Sequence, residues 1–165
     1  LPHGGPAVEW HDSMVYSTAT TGAGSLRMTD ALPPFEGHTI YDPIDPYENR
    51  AGPFFWKQRE DGTHHFALTA EARHCNRHGI VHGGLMMTMI DLTMVVSAKK
   101  KWDEQLVTVS LNSEFIAAGQ DGDIIEAEGE LVGRTRSLAF TRGRVFVGNR
   151  TLLAASAVLK PLTPR

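Results

Sequence analysis

The residues best suited to chemistry lie in one stretch of the sequence, NRHGIVHGGLMMTMID, which runs from Asn76 to Asp91. Histidines recur in and just before it at intervals of four residues: His74, His78 and His82. On a continuous helix this spacing would align three imidazoles on one face, an arrangement that can ligate zinc. Gly79 and Gly83 interrupt the segment and lower its helix propensity, so the sequence predicts no metal site.

Two further interpretations of the same stretch find less support. The glycines do not match the G-x-x-x-x-G-K-[ST] pattern of a phosphate loop, and no strand leads into a G-x-G-x-x-G turn. Cys75 beside a histidine and an asparagine could in principle act as a nucleophile, but adjacent residues rarely meet in the required geometry. We therefore expect neither a phosphate loop nor cysteine catalysis.

The pair Gly83-Gly84 is predicted to begin a helix. The first amides of a helix have no partner within it, and glycine lets a ligand approach the backbone closely. Such a terminus stabilises negative charge, including the oxyanion of acyl transfer. Taken alone, the glycines favour the simpler alternative, a tight turn into a core helix.

Asp91 shifts the balance toward a functional site. It lies in the apolar run MMTMIDLTMVV, where an unpaired buried carboxylate is costly. Backbone groups or the nearby Thr88 could satisfy a purely structural aspartate. An ionisable group held in an apolar site is, however, a common position for a catalytic base or nucleophile.

The spacing of Gly83 and Asp91 has a geometric consequence. Eight residues of helix separate them by about 12 Å along the axis. A reacting carbonyl must lie within about 3 Å of both its oxyanion donor and its attacking group. If both residues act on one thioester or ester, they come from two antiparallel copies of the helix, which predicts a homodimer with two sites across its interface.

The elements that would position these residues follow an α+β order. Strand patterns at 54–60 and 63–70 flank Asp61-Gly62, a strong hairpin signal. A helix of about 17 residues is predicted from Gly83 to Lys99, apolar nearly all round and therefore largely buried. Four more strand patterns, joined by short turns, indicate an antiparallel sheet against this one helix. They lie at 106–115, 123–133, 137–148 and 151–160.

The composition limits the function classes. The 165 residues carry a net charge of −3 and are 41% apolar, which suits one globular domain and gives no basic surface for nucleic acid. No apolar run is long enough to span a membrane, and the single cysteine favours a cytoplasmic setting. Residues 1–51 are predicted to be an extended or partly disordered arm with a short helix near 41–49, and residues 52–165 to form the domain.

The motif N-x-x-G-x-x-H-G-G, followed by an apolar helix with one acidic residue, resembles the hotdog-fold acyl-CoA thioesterases, in particular the PaaI-like (phenylacetate-pathway) branch. The likeness covers roughly residues 52–160. It implies an antiparallel sheet wrapped around one central helix, assembled as a homodimer or as a homotetramer built as a dimer of dimers. It also implies cofactor-free hydrolysis of an acyl-CoA thioester.

The resemblance implies roles for the residues of the motif. Asp91 would activate water or attack the thioester carbonyl, while the Gly83 amide would hold the thioester oxygen. Asn76 and His82, on the same subunit as Gly83, would orient the carbonyl or the water. Thr108, where the family often has serine or threonine, would hydrogen-bond the water beside Asp91 from the other subunit.

Other residues would contact the rest of the substrate. Gly84 and Met87 are candidate substrate-binding residues at the start of the helix, although the methionine could equally be core. Arg134 and Arg136 are candidates for the phosphates of CoA, or else simply form a solvated turn. Ser110 departs from the family pattern, in which many relatives have an acidic residue, and this would alter the pocket.

Simpler roles and other functions stay open. Asn76 could be a turn residue that bonds its own backbone, His82 could cap the turn with its ring, and Thr108 could be an ordinary strand threonine. A non-catalytic acyl-CoA sensing module is one alternative, although residues 1–50 show no helix-turn-helix pattern. A hotdog-fold hydratase or dehydratase is another, although the helix has no histidine beyond the one at its start.

Overall fold

The computed structural model describes residues 35–42, 44–101 and 104–162. No helix in these ranges is long and apolar enough to cross a membrane. The elements follow in the order β1 (Thr39–Ile40), α1 (Pro46–Ala51), β2 (Phe55–Gln58), β3 (His64–Thr69), a short 3₁₀ helix (Ala72–His74), α2 (Gly83–Ala98), β4 (Leu106–Phe115), β5 (Ile124–Arg134), β6 (Ala139–Val147) and β7 (Arg150–Pro161).

The strands form one antiparallel sheet in the order β1-β2-β3-β5-β6-β7-β4. This confirms the predicted α+β class and the six strands predicted from 54 onward. The Asp61-Gly62 hairpin is confirmed in detail, because Gly62 has a φ of +82° that side chains rarely adopt. The Asp61 carboxylate accepts a hydrogen bond from the Thr63 amide at 2.9 Å and fixes the turn.

The predicted central helix is confirmed as α2, which packs against β5 and β6. Its apolar side chains on several faces are fully buried, including Met89, Ile90 and Met94. Two glycines that pair across β5 and β6, Gly129 and Gly143, permit this close packing. A Cβ on Gly143 would lie only 2.9 Å from the Ile90 side chain, so a larger residue there would push the helix away.

β4 forms the long free edge of the sheet and departs from the predicted alternation. A register shift between Thr108 and Ser110 displaces Val109 as a bulge. Val109 and Phe115 are 59% and 56% exposed. β4 therefore keeps exposed apolar side chains at the edge of the sheet, although α2 contacts part of this strand.

The segment before β2 contributes structure to the domain. Residues 1–34 of the predicted arm lie outside the described residues. The described part forms β1, which pairs with β2, and α1, which contacts α2. The short helix predicted near 41–49 is present at Pro46–Ala51, five residues later than the predicted start.

Candidate active site

The N-terminus of α2 presents one amide that a ligand can reach. His82 is the N-cap residue, and its Nδ1 accepts a hydrogen bond from the Gly84 amide at 2.9 Å. The Gly83 amide donates to no group in the part of the chain that the structure describes. The imidazole therefore takes the capping role, while Gly83 retains the unpaired amide that the sequence interpretation assigned to an oxyanion. Gly84, predicted to bind substrate, has its amide engaged by His82.

The surroundings of position 83 leave little room for a side chain. A Cβ there would lie 3.0 Å from Cε1 and 3.2 Å from Cζ of the Phe115 ring. Phe115 ends β4, so the free edge strand and the start of α2 meet at this point. A side chain on residue 83 would both disturb this contact and obstruct the approach to the amide.

Asn76 orders the turn that precedes α2. Its Oδ1 accepts hydrogen bonds from the amides of His78 at 2.9 Å and Ile80 at 3.3 Å. Gly79 closes the turn with a φ of +73°. The side-chain oxygen of Asn76 is thus used locally, as the turn alternative expected, whereas its Nδ2 donates to no described residue. Any contact between Asn76 and a substrate would use that nitrogen.

The three histidines of the opening motif bond to separate partners. The buried His74 accepts from the Glu71 amide at 2.9 Å, and His78 accepts from Arg77 Nε at 3.1 Å. His82 caps α2. Within the ranges 35–42, 44–101 and 104–162, no three His, Cys, Asp or Glu side chains are grouped as metal ligands would be.

Asp91 and Thr108 are in direct contact. Thr108 Oγ1 donates to Asp91 Oδ1 at 2.6 Å within a single chain. The bond that Thr108 was predicted to make to a water beside Asp91 stays a prediction. Thr88, the suggested structural partner of Asp91, instead donates to the carbonyl of Gly84 at 3.0 Å. Asp91 is half-buried, and one oxygen of its carboxylate is fixed by a neutral donor.

Asp91 opens into a cleft of about 490 Å³ between α1, α2 and β4. Apolar side chains of α2 and β4 line one side, including Met87, which was predicted near the substrate. Ser113 Oγ donates to Met87 Sδ at 3.2 Å and positions that side chain. The lining residues are Tyr41, Tyr47, Glu48, Met87, Thr88, Asp91, Leu92, Val95, Thr108 and Leu111.

The cleft includes residues that sequence reasoning missed: Tyr41, Tyr47 and Glu48. They come from the segment that was predicted to be an arm. A sequence signal existed for part of this, because Asp45 followed by Pro46 is a typical N-cap and first-turn pair. Asp45 does cap α1, accepting from the amides of Tyr47 and Glu48 at 2.9 and 2.8 Å. No pattern in the sequence indicated that this short helix would pack beside Asp91.

Glu48 is the second carboxyl group of the cleft. Burial, reinforced by the negative charges of Asp45, Asp42 and Asp91, raises its pKa to about 7. Its Oε2 is buried without a hydrogen-bond partner among the described residues. The cleft therefore holds two carboxyl groups in different environments.

The two arginines proposed for CoA phosphates differ in availability. Arg134 donates to the carbonyl of Ala98 at 2.7 Å and pairs with Glu104, and its side chain is only 11% exposed. The alternative that Arg134 simply belongs to a solvated turn is wrong, because this guanidinium caps the C-terminus of α2. Arg136 is exposed on the turn that follows β5.

Comparison with known proteins gives the family. Residues 78–154 match the model of the thioesterase superfamily, a range that contains Gly83, Asp91 and Thr108. The Pseudomonas aeruginosa protein "Putative esterase PA0474" is 30% identical over 115 residues, which cover 68% of this chain and 86% of that protein. The chain belongs to the thioesterase superfamily. This confirms the resemblance stated from the sequence and supports thioester hydrolase activity in general.

Solved structures of thioesterase relatives establish the hotdog fold. PaaI of Escherichia coli, from the phenylacetic acid degradation operon, has a TM-score of 0.65 at 15% identity, covering 73% of this chain and 86% of that chain. BH2602 of Bacillus halodurans, solved with CoA, has a TM-score of 0.60 at 24% identity, covering 67% and 74%. The predicted hotdog fold and the PaaI-like neighbourhood are confirmed.

Proposed function

We propose that this thioesterase-superfamily chain hydrolyses an acyl-CoA thioester to the free acid and CoA. One observation carries the proposal: the carboxylate of Asp91, on the central helix of a hotdog fold, is fixed by Thr108 and faces a cleft. A fixed carboxylate beside an apolar cleft suits a base or a nucleophile for an acyl substrate. The solved structure of BH2602 with CoA supports CoA as the thiol component of the substrate.

The chemistry needs an oxyanion donor as well as Asp91. Thr108 occupies Oδ1 of Asp91, which leaves Oδ2 to take a proton from water or to attack the carbonyl. The unpaired amide of Gly83 would hold the thioester oxygen as negative charge develops on it. Gly83 does not line the cleft of Asp91, and eight residues of α2 separate the two by about 12 Å. The donor would therefore come from a second copy of the chain.

The free edge of the sheet supports a homodimer. β4 ends the sheet, spans ten residues and exposes apolar side chains, among them Val109 and Phe115 at 59% and 56%. A long edge strand with exposed apolar side chains is a template for pairing with another chain. Pairing of two β4 strands would bring the Phe115 end, and with it the start of α2, toward the neighbouring subunit. A dimer of dimers would add a second interface elsewhere on the surface.

Release of thiol tests the proposal. The protein is incubated with acetyl-, hexanoyl-, palmitoyl-, benzoyl- and phenylacetyl-CoA, and free CoA is read with a thiol reagent. At least one substrate should be hydrolysed, and Asp91→Asn should abolish most of the turnover. The matched control is Asp121→Asn, the same change at an exposed aspartate outside the cleft. Tight binding without thiol release would favour an acyl-CoA sensing module and would refute the hydrolase.

A further inference from the structure

Glu48 is held in the cleft of Asp91 by contacts at both ends of α1. At its start, Tyr47 Oη and Thr88 Oγ1 share a hydrogen bond of 3.2 Å that joins α1 to α2. At its end, Arg73 donates to the carbonyls of Arg50 and Gly52 at 3.1 and 2.6 Å. A helix of only six residues would not hold its position alone. These bonds give Glu48 a defined place relative to Asp91.

The environment of Glu48 favours its neutral form. One carboxyl oxygen is buried and lacks a partner among the described residues, so a charge there would be poorly solvated. The ionisable groups that act on it come from α2 and from the segment that leads into α1, and they are mostly acidic. They are Asp45, Asp42 and Asp91, opposed by Lys99 at the end of α2.

The two carboxyl groups of the cleft are therefore prepared for opposite tasks. Thr108 donates a hydrogen bond to Oδ1 of Asp91 and leaves Oδ2 to take a proton from water. Burial raises the pKa of Glu48 to about 7, so near neutral pH it can hold a proton to give. Two titratable groups whose environments differ in this way in one site commonly serve as base and acid.

Thioester hydrolysis is accelerated by such an acid when the leaving thiolate is basic. An alkyl thiol titrates near the cysteine value of about 8.5, so the sulfur leaves as a thiolate that must acquire a proton. We propose that Glu48 is the proton donor to the leaving sulfur, acting opposite Asp91 in the same cleft. This inference rests on the proposed thioester hydrolysis and gives a role in it to the second carboxyl group of the cleft.

The proton balance closes within the site. Water forms a bond to the thioester carbon and gives a proton to Asp91. The carbon–sulfur bond breaks, its electron pair goes to sulfur, and the proton of Glu48 goes with it to give the free thiol. The proton on Asp91 then passes to the carboxylate of Glu48 through water. Both side chains return to their starting states, and the net reaction is thioester plus water to acid plus thiol.

Leaving-group dependence tests the proposal. Two thioesters are made of the acyl group turned over fastest in the CoA panel, one of N-acetylcysteamine and one of thiophenol. The aryl thiolate is the more stable anion and leaves without a proton. Glu48→Gln, which keeps the shape of the side chain but supplies no acidic proton, should lower kcat/KM on the alkyl thioester by about 100-fold. It should lower kcat/KM on the aryl thioester by less than about threefold, since no acid is needed there.

The pH profile gives a second readout. On the alkyl thioester, kcat should fall as pH rises through about 7 because Glu48 loses its proton. This alkaline decline should be absent in Glu48→Gln and absent with the aryl thioester. The control Glu60→Gln makes the same change at an exposed glutamate on the β2–β3 hairpin and should match the parent protein throughout.

Any other result would overturn the assignment of Glu48 as the proton donor. An equal loss on both thioesters would show that Glu48 only supports the structure of the cleft, and no loss on either would make it a spectator. Failure of the parent protein to release thiol from every acyl-CoA of the panel would overturn the hydrolase proposal itself. Asp91→Asn separates these cases, because it should be impaired equally on both thioesters.

Discussion

The hydrogen bond from Thr108 to Asp91 allows a quantitative prediction of how its loss would affect catalysis. Thr108→Val replaces the hydroxyl with a methyl group of similar size and removes a bond of 2.6 Å to a carboxylate. A hydrogen bond to a charged group contributes about 1.5–3 kcal/mol, which corresponds to a factor of about 10 to 150 in rate if the bond is fully used in the transition state. We expect kcat/KM for acyl-CoA hydrolysis to fall within that range, because Asp91 loses the contact that orients it.

Two comparisons keep this prediction specific. Thr108→Ser retains the hydroxyl and should stay within about threefold of the parent protein. Thr108 lies on an exposed part of β4, so neither change should alter the urea midpoint appreciably. Thiol release, measured at saturating and at low acyl-CoA, gives kcat and kcat/KM. Equal rates for the valine and serine variants would refute the idea that this bond positions Asp91.

Three further predictions concern stability and substrate binding. Burial, and after it the charge of Arg59, lowers the pKa of His65 to about 4, although Glu126 lies 3.0 Å away. The contribution of neutral His65 to the free energy of unfolding should be complete above pH 6.5, and about 3 kcal/mol should be lost as pH falls toward 4. The urea midpoint of His65→Gln should therefore depend less steeply on pH. A carboxyl group with a raised pKa costs stability only as pH rises through 4.5 to 7. Glu48→Gln should therefore raise the free energy of unfolding at pH 8 by roughly 1 kcal/mol after solvent screening. The same urea titration should show no gain at pH 4. Arg134→Met removes bonds to Ala98 and Glu104 and should lower the free energy of unfolding by about 1–3 kcal/mol in chemical denaturation. The KM for acyl-CoA should stay unchanged. A higher KM would instead support a role of Arg134 in binding phosphate.

The core elements of the domain could be predicted from the sequence because the patterns that indicate them are local. The nearly continuous apolar run after Gly83 favours a buried helix of this length, and Asp61-Gly62 favours a tight hairpin. β4 shows the limit of local signals. Its alternating pattern correctly predicted a strand, but alternation does not say which strand will lie at the edge of the sheet. The exposed Val109 and Phe115 are consistent with cover from another chain.

The sequence predicted the motif residues of the candidate site but not the residues that surround them. Gly83 and Asp91 lie on α2 as expected, and Thr108 reaches Asp91 through the pairing of distant strands. Glu48 could not be assigned, because its role depends on α1 packing beside α2, a contact between segments about forty residues apart. Arg134 was misjudged for a related reason, since only the fold brings Ala98 and Glu104 to it.

The central claim, that Asp91 of one subunit and the Gly83 amide of the other form one site, is tested most directly by mixing two inactive variants. Asp91→Asn lacks the carboxylate, and Gly83→Val places a side chain against Phe115 and over the amide. After the subunits are exchanged, half the dimers carry one intact site, so acyl-CoA hydrolysis should recover to about a quarter of the parent rate. No recovery, with mixed dimers shown to form, would place both groups in the same chain and contradict the account.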